Sequence, residues 1–232
     1  MAVISYDFGH QAGQDIGASG FLNEQKVIRE YAPIAIAELE RHGHTCINCT
    51  PPNNAMIVNQ SLAYRTEHAN ASGSILHICF HVDAFASASA HGVEIEVAST
   101  NGSKYGQSVL KEIVKLGFTS RGVKTPRLYM TFQPKATSIL IEPFFCTNSS
   151  DCKLYNKTTL GLACAKGIIN ILGGTIKGVT KPVTKPVIVT KVVTKGKIYR
   201  VVSGSYSDES NADIQIKLLK EKGIESFKEV IQ

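Results

Sequence analysis

Ile75-Leu76-His77-Ile78-Cys79-Phe80-His81-Val82-Asp83-Ala84 is the stretch from which the fold can be read. It enters from Ser72-Gly73-Ser74 as a short apolar run and closes on a histidine, an aspartate and a small residue. Such runs belong to strands buried on both faces of a parallel sheet, because crossover helices cover both sides. Ligands of open parallel sheets gather beyond the carboxyl ends of the strands, where His81 falls. On this stretch alone, a histidine capping the strand and bonded to a neighbouring loop serves equally well.

Upstream, Val3 to Phe8 reads as a strand that turns at Gly9-His10. The loop that follows carries Gly13, Gly17 and Gly20, but its spacing fits neither a dinucleotide nor a P-loop signature. Asn23 is a good N-cap for a helix running through Glu40, with Val27, Ile28, Tyr31, Ile34, Ala35 and Leu39 on one face. Pro33 should bend or divide that helix. Gly43 ends it, and Thr45 to Cys49 is a second strand. A second helix is expected from about Ser61 to Ala71.

Downstream, a small-residue loop from Ala84 to His91 precedes a strand over Gly92 to Ala98. Tyr105 to Leu116 reads as a helix, Ser138 to Phe144 as a buried strand, and Asn156 to Leu172 as a helix closed by Gly173-Gly174. Strands alternating with helices predict an α/β domain: an open, twisted, mostly parallel sheet with helices on both faces.

The 232 residues are 43% hydrophobic and 19% charged, as in a globular chain. No run approaches the roughly 18 apolar residues of a membrane span. The N-terminus lacks a basic segment followed by an apolar one, so a chain made in the cytoplasm without a signal peptide is expected. Six cysteines do not suggest a disulfide scaffold. Cys46-Ile47-Asn48-Cys49 has redox or zinc spacing but no matching second pair, and reads as packed strand.

The net charge of +6 is concentrated. Residues 1–172 carry 14 basic and 13 acidic side chains, residues 173–197 six lysines and no acid, and residues 198–232 five basic and six acidic. No aromatic-basic interleaving suggests nucleic acid. Residues 173–197, a loose Val-Thr-Lys repeat with two prolines, read as an extended cationic linker, with an edge strand over Val187 to Val193 as the alternative. The tail reads as a small βαβ module: strand Ile198 to Val202, helix Ser207 to Lys222, strand Ser226 to Ile231.

Four polar residues stand at strand ends or where apolar ones are expected: His10, Glu24, His81 and Glu142. Two imidazoles and a carboxylate with an open fourth position suit catalytic zinc, and a further carboxylate can serve as base. A carboxylate in a buried strand costs several kcal/mol unless paired or used, which singles out Glu142. His77 and Cys79 share a strand face with His81 but fit core packing. His91 is a weaker candidate for touching substrate. Arg65 is expected to pair within its own helix, and His42, His44 and His68 to lie at the surface.

In this order the residues resemble the zinc-dependent N-acetylmuramoyl-L-alanine amidases of bacterial cell walls. The resemblance runs over about residues 3–172 through Asp7-Phe8-Gly9-His10, Gly17-Ala18-Ser19-Gly20 with Glu24, Leu62 to Asn70, Phe80-His81-Val82-Asp83-Ala84 and Leu140-Ile141-Glu142-Pro143-Phe144-Phe145. Phe8, Gln11 and Pro143 depart from the family's usual residues without touching a ligand position. The resemblance implies that His10, Glu24 and His81 bind Zn²⁺ and that Glu142 is the catalytic carboxylate. The substrate would be peptidoglycan, cut between N-acetylmuramic acid and L-alanine. A zinc peptidase acting within the stem peptide, or a non-catalytic wall-binding protein, are the alternatives.

The tail resembles half of a sporulation-related repeat module, through Tyr199 to Tyr206, Asn211-Ala212 and Lys217 to Lys220 with Gly223. It implies wall binding, with three segments: amidase at 1–172, linker at 173–197 and module at 198–232. The lysines would meet anionic wall polymers. A half module leaves sheet edges open, so a homodimer through residues 198–232 is expected. Without a signal peptide, the enzyme would reach the wall only after membrane breach, as a phage endolysin or an autolysin does.

Overall fold

Strands Val3–Phe8 (β1), Thr45–Asn48 (β2), Leu76–Phe80 (β3), Val93–Val97 (β4), Ser120–Lys124 (β5) and Thr137–Glu142 (β6) form one sheet in the order β2-β1-β3-β6-β4-β5. The computed structural model describes residues 1–174 apart from Gln11, Asn53, Asn54 and Ala88. The expected tail module, and all but the first two residues of the expected linker, lie outside the described residues. Strands β2, β1, β3 and β6 run parallel, β4 lies antiparallel to β6, and β5 runs parallel to β4. The sheet is therefore mostly parallel, as the alternating pattern predicts.

All five residues of β3 are buried, which is what its unbroken apolar run requires. Leu76, Ile78 and Phe80 enter the main core beneath helices Glu24–Arg41 (α1), Thr100–Val114 (α3) and Lys157–Leu172 (α6). Cys79 faces the other side with Met130 and Leu140, under Val58–Ala71 (α2) and the short helix Tyr129–Phe132 (α4). Ser149–Leu154 (α5) follows β6. Among the described residues no helix is long and apolar enough to cross a membrane.

Side-chain caps start α1 and α6, at Asn23 as expected and at Asn156. Asn23 Oδ1 accepts from Lys26 N–H at 3.0 Å, and Asn156 Oδ1 accepts from Thr158 and Thr159 N–H. Pro33 does not divide α1, which runs unbroken for 18 residues. Its ring is exposed while Ile28, Tyr31, Ala32 and Ala35 are buried, so tertiary packing outweighs the local break.

Two sequence expectations are corrected. Arg65 keeps one bond within α2, from Nε to Ser61 Oγ at 3.3 Å, but the rest of its guanidinium reaches β1, pairing with Asp7 and donating to the carbonyls of Phe8 (2.7 Å) and His10 (3.0 Å). Asp7 is fully buried and needs a cation, which Arg65 on the crossing helix supplies. His44 is not at the surface but 4% exposed, its Nε2 bonded to the Gly173 carbonyl at 2.9 Å where α6 ends.

The segment between β3 and β4 is pinned at both ends. Asp83 bridges to Phe145, and Cys146 N–H donates to the Asp83 carbonyl at 2.8 Å. Asp151 Oδ2 accepts from both Gly92 N–H (2.7 Å) and Phe145 N–H (3.0 Å).

Candidate metal and catalytic site

The parallel strands β1, β3 and β6 are adjacent, and their ladder sets three of the four singled-out residues at one edge of the sheet. Gly9 N–H donates to Phe80 O and His81 N–H to Ile141 O, so His81 and Glu142 directly follow the Phe8–Phe80–Ile141 row of the ladder and His10 comes one residue later. Glu24 arrives from the opening turn of α1, where a carboxylate also favours the positive end of the helix dipole.

His10 is held at φ 63°, in the left-handed region that non-glycine residues seldom occupy. Such a conformation costs of order 1–3 kcal/mol and survives where its surroundings over-determine it. Here the His10 carbonyl accepts from both Arg29 Nη2 (3.2 Å) and Arg65 Nη2 (3.0 Å). The Gly9 carbonyl is fixed by Arg29 Nη1 at 3.0 Å. His81 is anchored through its carbonyl, which accepts from Tyr31 O–H at 2.9 Å.

The side chains converge. His10 Nε2 lies 3.0 Å and His81 Nδ1 3.2 Å from Glu24 Oε1, and one ligand atom from each of the three lies within 4.8 Å of the others. Backbone N–H groups of Ala18 and Val82 also point at the Glu24 carboxylate. Close glycines make room for the trio. A Cβ on Gly17 would sit 2.8 Å from Glu24 Oε2 and 2.9 Å from His10 Cδ2, and one on Gly9 2.5 Å from the His81 ring.

Behind His10 stands a second row of groups. Its Nδ1 meets Asp15 Oδ1 at 2.9 Å, and Asp15 Oδ2 accepts from Ser61 O–H at 2.5 Å. A carboxylate on the far nitrogen fixes the tautomer of a metal-binding imidazole. Sequence reasoning missed Asp15, Ser61 and the outer role of Arg65. The chain brings Ser61 to Asp15 across 46 positions, and no local spacing signals such a contact.

The electrostatics favour a cation. Burial lowers the His10 pKa, but hydrogen bonds to Asp15 and Glu24 outweigh it and push it up to about 9. Glu24, despite desolvation, is held far below the usual carboxylate range by hydrogen bonds to both histidines. Glu142 goes the other way: burial drives it well above the ordinary value, helped by the negative charges of Glu24, Asp83, Glu96 and Glu94. Its Oε2 is buried and has no hydrogen-bond partner among the described residues. A native structure seldom leaves such an atom unused.

These observations fit the residues to zinc: two imidazole nitrogens and a carboxylate oxygen converging in a space that glycines keep clear. A second close trio, Asp7, His77 and Cys79, fits poorly. The Arg65 guanidinium already occupies Asp7 Oδ1, His77 Nε2 takes Oδ2 at 3.0 Å, and His77 Nδ1 meets Ser5 Oγ at 2.8 Å. Burial also raises the Cys79 thiol well above its usual value, against thiolate formation. This cluster is a buried ion pair in the core, as the core reading of His77 and Cys79 anticipates. His91 is exposed, bonded to the Ser89 carbonyl at 2.7 Å, and does not join the His10–Glu24–His81 trio.

Comparison with known proteins gives an independent result. The profile of a family described as N-acetylmuramoyl-L-alanine amidase matches residues 4–173, and a SPOR domain profile matches residues 177–227. The catalytic domain of the CD27L endolysin targeting Clostridia Difficile superposes with a TM-score of 0.68 at 26% identity, over 73% of this chain and 98% of that one. The amidase AmiC2 of Nostoc punctiforme gives 0.65 at 24% identity, over 74% and 97%. The catalytic domain of CwlV from Bacillus (Paenibacillus) polymyxa var. colistinus gives 0.65 at 18%, over 74% and 98%, a likeness of fold. No curated protein matches the chain.

Proposed function

The chain belongs to the N-acetylmuramoyl-L-alanine amidase family, and from that premise we propose that His10, Glu24 and His81 hold zinc while Glu142 carries the proton of the reaction. The activity itself is that of a peptidoglycan amidase acting on the cell wall, cutting the amide between N-acetylmuramic acid and L-alanine. The observation that carries the zinc assignment is the convergence of three ligand atoms within 4.8 Å, next in the ladder to the unpartnered Oε2 of Glu142.

Zinc bound there would acidify a water molecule and stabilise negative charge on the scissile carbonyl oxygen. Each residue of the chain then has a task. Asp15 holds the His10 ring in one orientation, leaving Nε2 to ligate. Gly9 and Gly17 keep the rings and carboxylate close. Glu142 accepts the proton of the attacking water and delivers it to the departing L-alanine nitrogen. Its raised pKa suits both steps, because a more basic carboxylate takes the proton readily and holds it until the amine leaves.

The test is Glu142→Gln in the full chain. Zinc content and fold should be retained while wall digestion falls by about 10²-fold or more, the usual weight of a general acid–base. Turnover within a few fold of the parent would refute the role. Product analysis separates an amidase, which frees the amine of L-alanine, from a peptidase, which creates a new terminus inside the stem.

The SPOR match gives residues 177–227 a peptidoglycan-binding role, and it begins inside the lysine-rich segment. We keep the division into amidase at 1–172, basic linker at 173–197 and module at 198–232, supported by the six lysines without an acid between residues 173 and 197. Those lysines would contact anionic wall polymers, and residues 198–232 would pair with a second copy. Light scattering of the full chain and of a truncation after Gly173 tests the pairing. A monomeric full chain at micromolar concentration would refute it.

A further inference from the structure

Beside Glu142 lies a cavity of about 460 Å³ that the reaction described above does not use, bordered by Asp83, Phe85, Glu94, Arg121 and Phe145 together with small residues. We propose that it is an acetamido subsite, which takes the N-acetyl group of the muramic acid whose lactyl amide is cut. Arg121 and Asp83 set this specificity. The proposal rests on the amidase reading and extends it to the sugar.

The construction of the wall points to a ligand. Strand β5 pairs Ser120 with Val93 and then Gly122 with Glu94, so Arg121 is an extra, unpaired residue in a β-bulge. Gly122 supports the bulge with φ 89°, a conformation that favours glycine. Bulges beside sites re-aim a side chain, and this one sends the Arg121 guanidinium onto the ring of Phe145, 4.8 Å from its centroid. Arg121 Nε is fixed on Glu94, which Lys124 Nζ also holds at 2.6 Å. Among the described residues, Nη1 and Nη2 of Arg121 bond nothing. Asp83 is similarly placed: its backbone is bridged to Phe145, Oδ1 accepts from Ala84 N–H at 2.7 Å, and Oδ2 has no protein partner among the described residues. Arg121 and Asp83 form no ion pair with each other. The cavity thus offers anchored donors, an anchored acceptor and two phenylalanine rings.

An acetamido group offers the complement, with one carbonyl acceptor, one N–H donor and one methyl. Its carbonyl would accept from Arg121 Nη, its N–H donate to Asp83 Oδ2, and its methyl lie against Phe85 and Phe145. A free ammonium would satisfy Asp83 alone and set its charge against Arg121; a carboxylate would do the reverse. Position agrees with this. Glu94 stands directly opposite Glu142 in the β4–β6 ladder, an antiparallel pair about 5 Å apart at the backbone. In muramic acid the carbon bearing the acetamido group adjoins the carbon bearing the lactyl ether, so one group can enter the cavity while the other reaches Glu142.

The test uses the full chain carrying Glu142→Gln, titrated calorimetrically with N-acetylmuramoyl-L-alanyl-D-isoglutamine and with the same compound lacking its N-acetyl group. The deacetylated compound should bind at least about tenfold more weakly, the loss expected for one charge-assisted hydrogen bond. Adding Arg121→Met should shrink that ratio to about twofold. Adding Lys124→Gln, which also touches Glu94 but does not border the cavity, should leave the ratio intact. Equal affinity for the two compounds, no binding of the acetylated one, or a ratio unmoved by Arg121→Met would each overturn the subsite. Because this readout is binding, failure of the parent protein to cleave wall would count against the amidase reading alone.

Discussion

Arg65→Met should destabilise the protein severely through a side chain that no ligand touches. Asp7 is fully buried and Arg65 is 2% exposed, so the substitution strands a carboxylate in the core with His77 as its remaining ion-pair partner among the described residues. It also takes donors from the carbonyls of Phe8 and His10. Breaking a buried ion pair by removing one partner costs about 3–5 kcal/mol. With a urea slope of about 2 kcal/mol per molar, the unfolding midpoint should fall by about 2 M. The acid limb gives a second reading. The folded-state pKa of Asp7 is depressed below its ordinary 3.8, against burial, by Arg65 and by the hydrogen bond from His77. Its stabilising contribution is therefore complete above that ordinary value and is lost as pH falls toward the lower folded value. Without Arg65 that depression shrinks, so the gap between parent and variant should narrow below about pH 4. Urea titrations followed by circular dichroism at pH 7 and pH 3 measure both. A shift under about 0.5 M at pH 7, or a gap that widens in acid, would refute the reasoning.

Other outcomes are expected of the site and tail. His81→Ala should abolish both bound zinc and turnover, and one equivalent of metal held at normal affinity would sink the ligand assignment. Asp15→Asn should weaken zinc binding about 10–100-fold, read by chelator competition, because it removes the carboxylate behind His10. Gly17→Ala should displace the Glu24 carboxylate, which its Cβ would approach to 2.8 Å, and lower metal content with little change in melting temperature. Association of the full chain with purified walls should weaken as salt rises, since attraction between lysine and anionic wall charges in water is screened within about 8 Å at physiological ionic strength. Sedimentation that is indifferent to salt would remove the lysine-rich segment from wall binding.

What could be read in the sequence follows how local each signal is. The buried run of β3, the Asn23 cap, the helix after Asn156 and the apolar stripe of α1 depend on neighbours within a turn or two, and each appears where expected. The positions of His10, His81 and Glu142 at one edge follow from parallel pairing once the strands are known. Strand β5 was not legible: Ser120 to Lys124 holds two cations and a glycine with no apolar alternation, because it is an edge strand that takes its order from β4. The four residues of α4 and six of α5 are too short to carry helical periodicity. Arg65 and His44 were misplaced for a different reason. Their surroundings come from β1 and from the end of α6, and residue type alone predicts full burial for neither.

The reversal of β4 has a consequence for how such an enzyme can diversify. Because β4 runs against β6, its beginning lies next to Glu142, and residues 84–91 arrive at the reaction edge before entering the sheet. Both ends of that segment are moored, through Asp83 to Phe145 and through Gly92 to Asp151, on the same short stretch after β6. Gly92 adds a steric lock, since a Cβ there would fall 2.2 Å from the Thr119 carbonyl. Sequence between the moorings is therefore a replaceable cassette, open to lengthening or exchange while His10, Glu24, His81 and Glu142 stay in register. Grafting different loops between Asp83 and Gly92 would be the economical route to amidases that tell one wall from another.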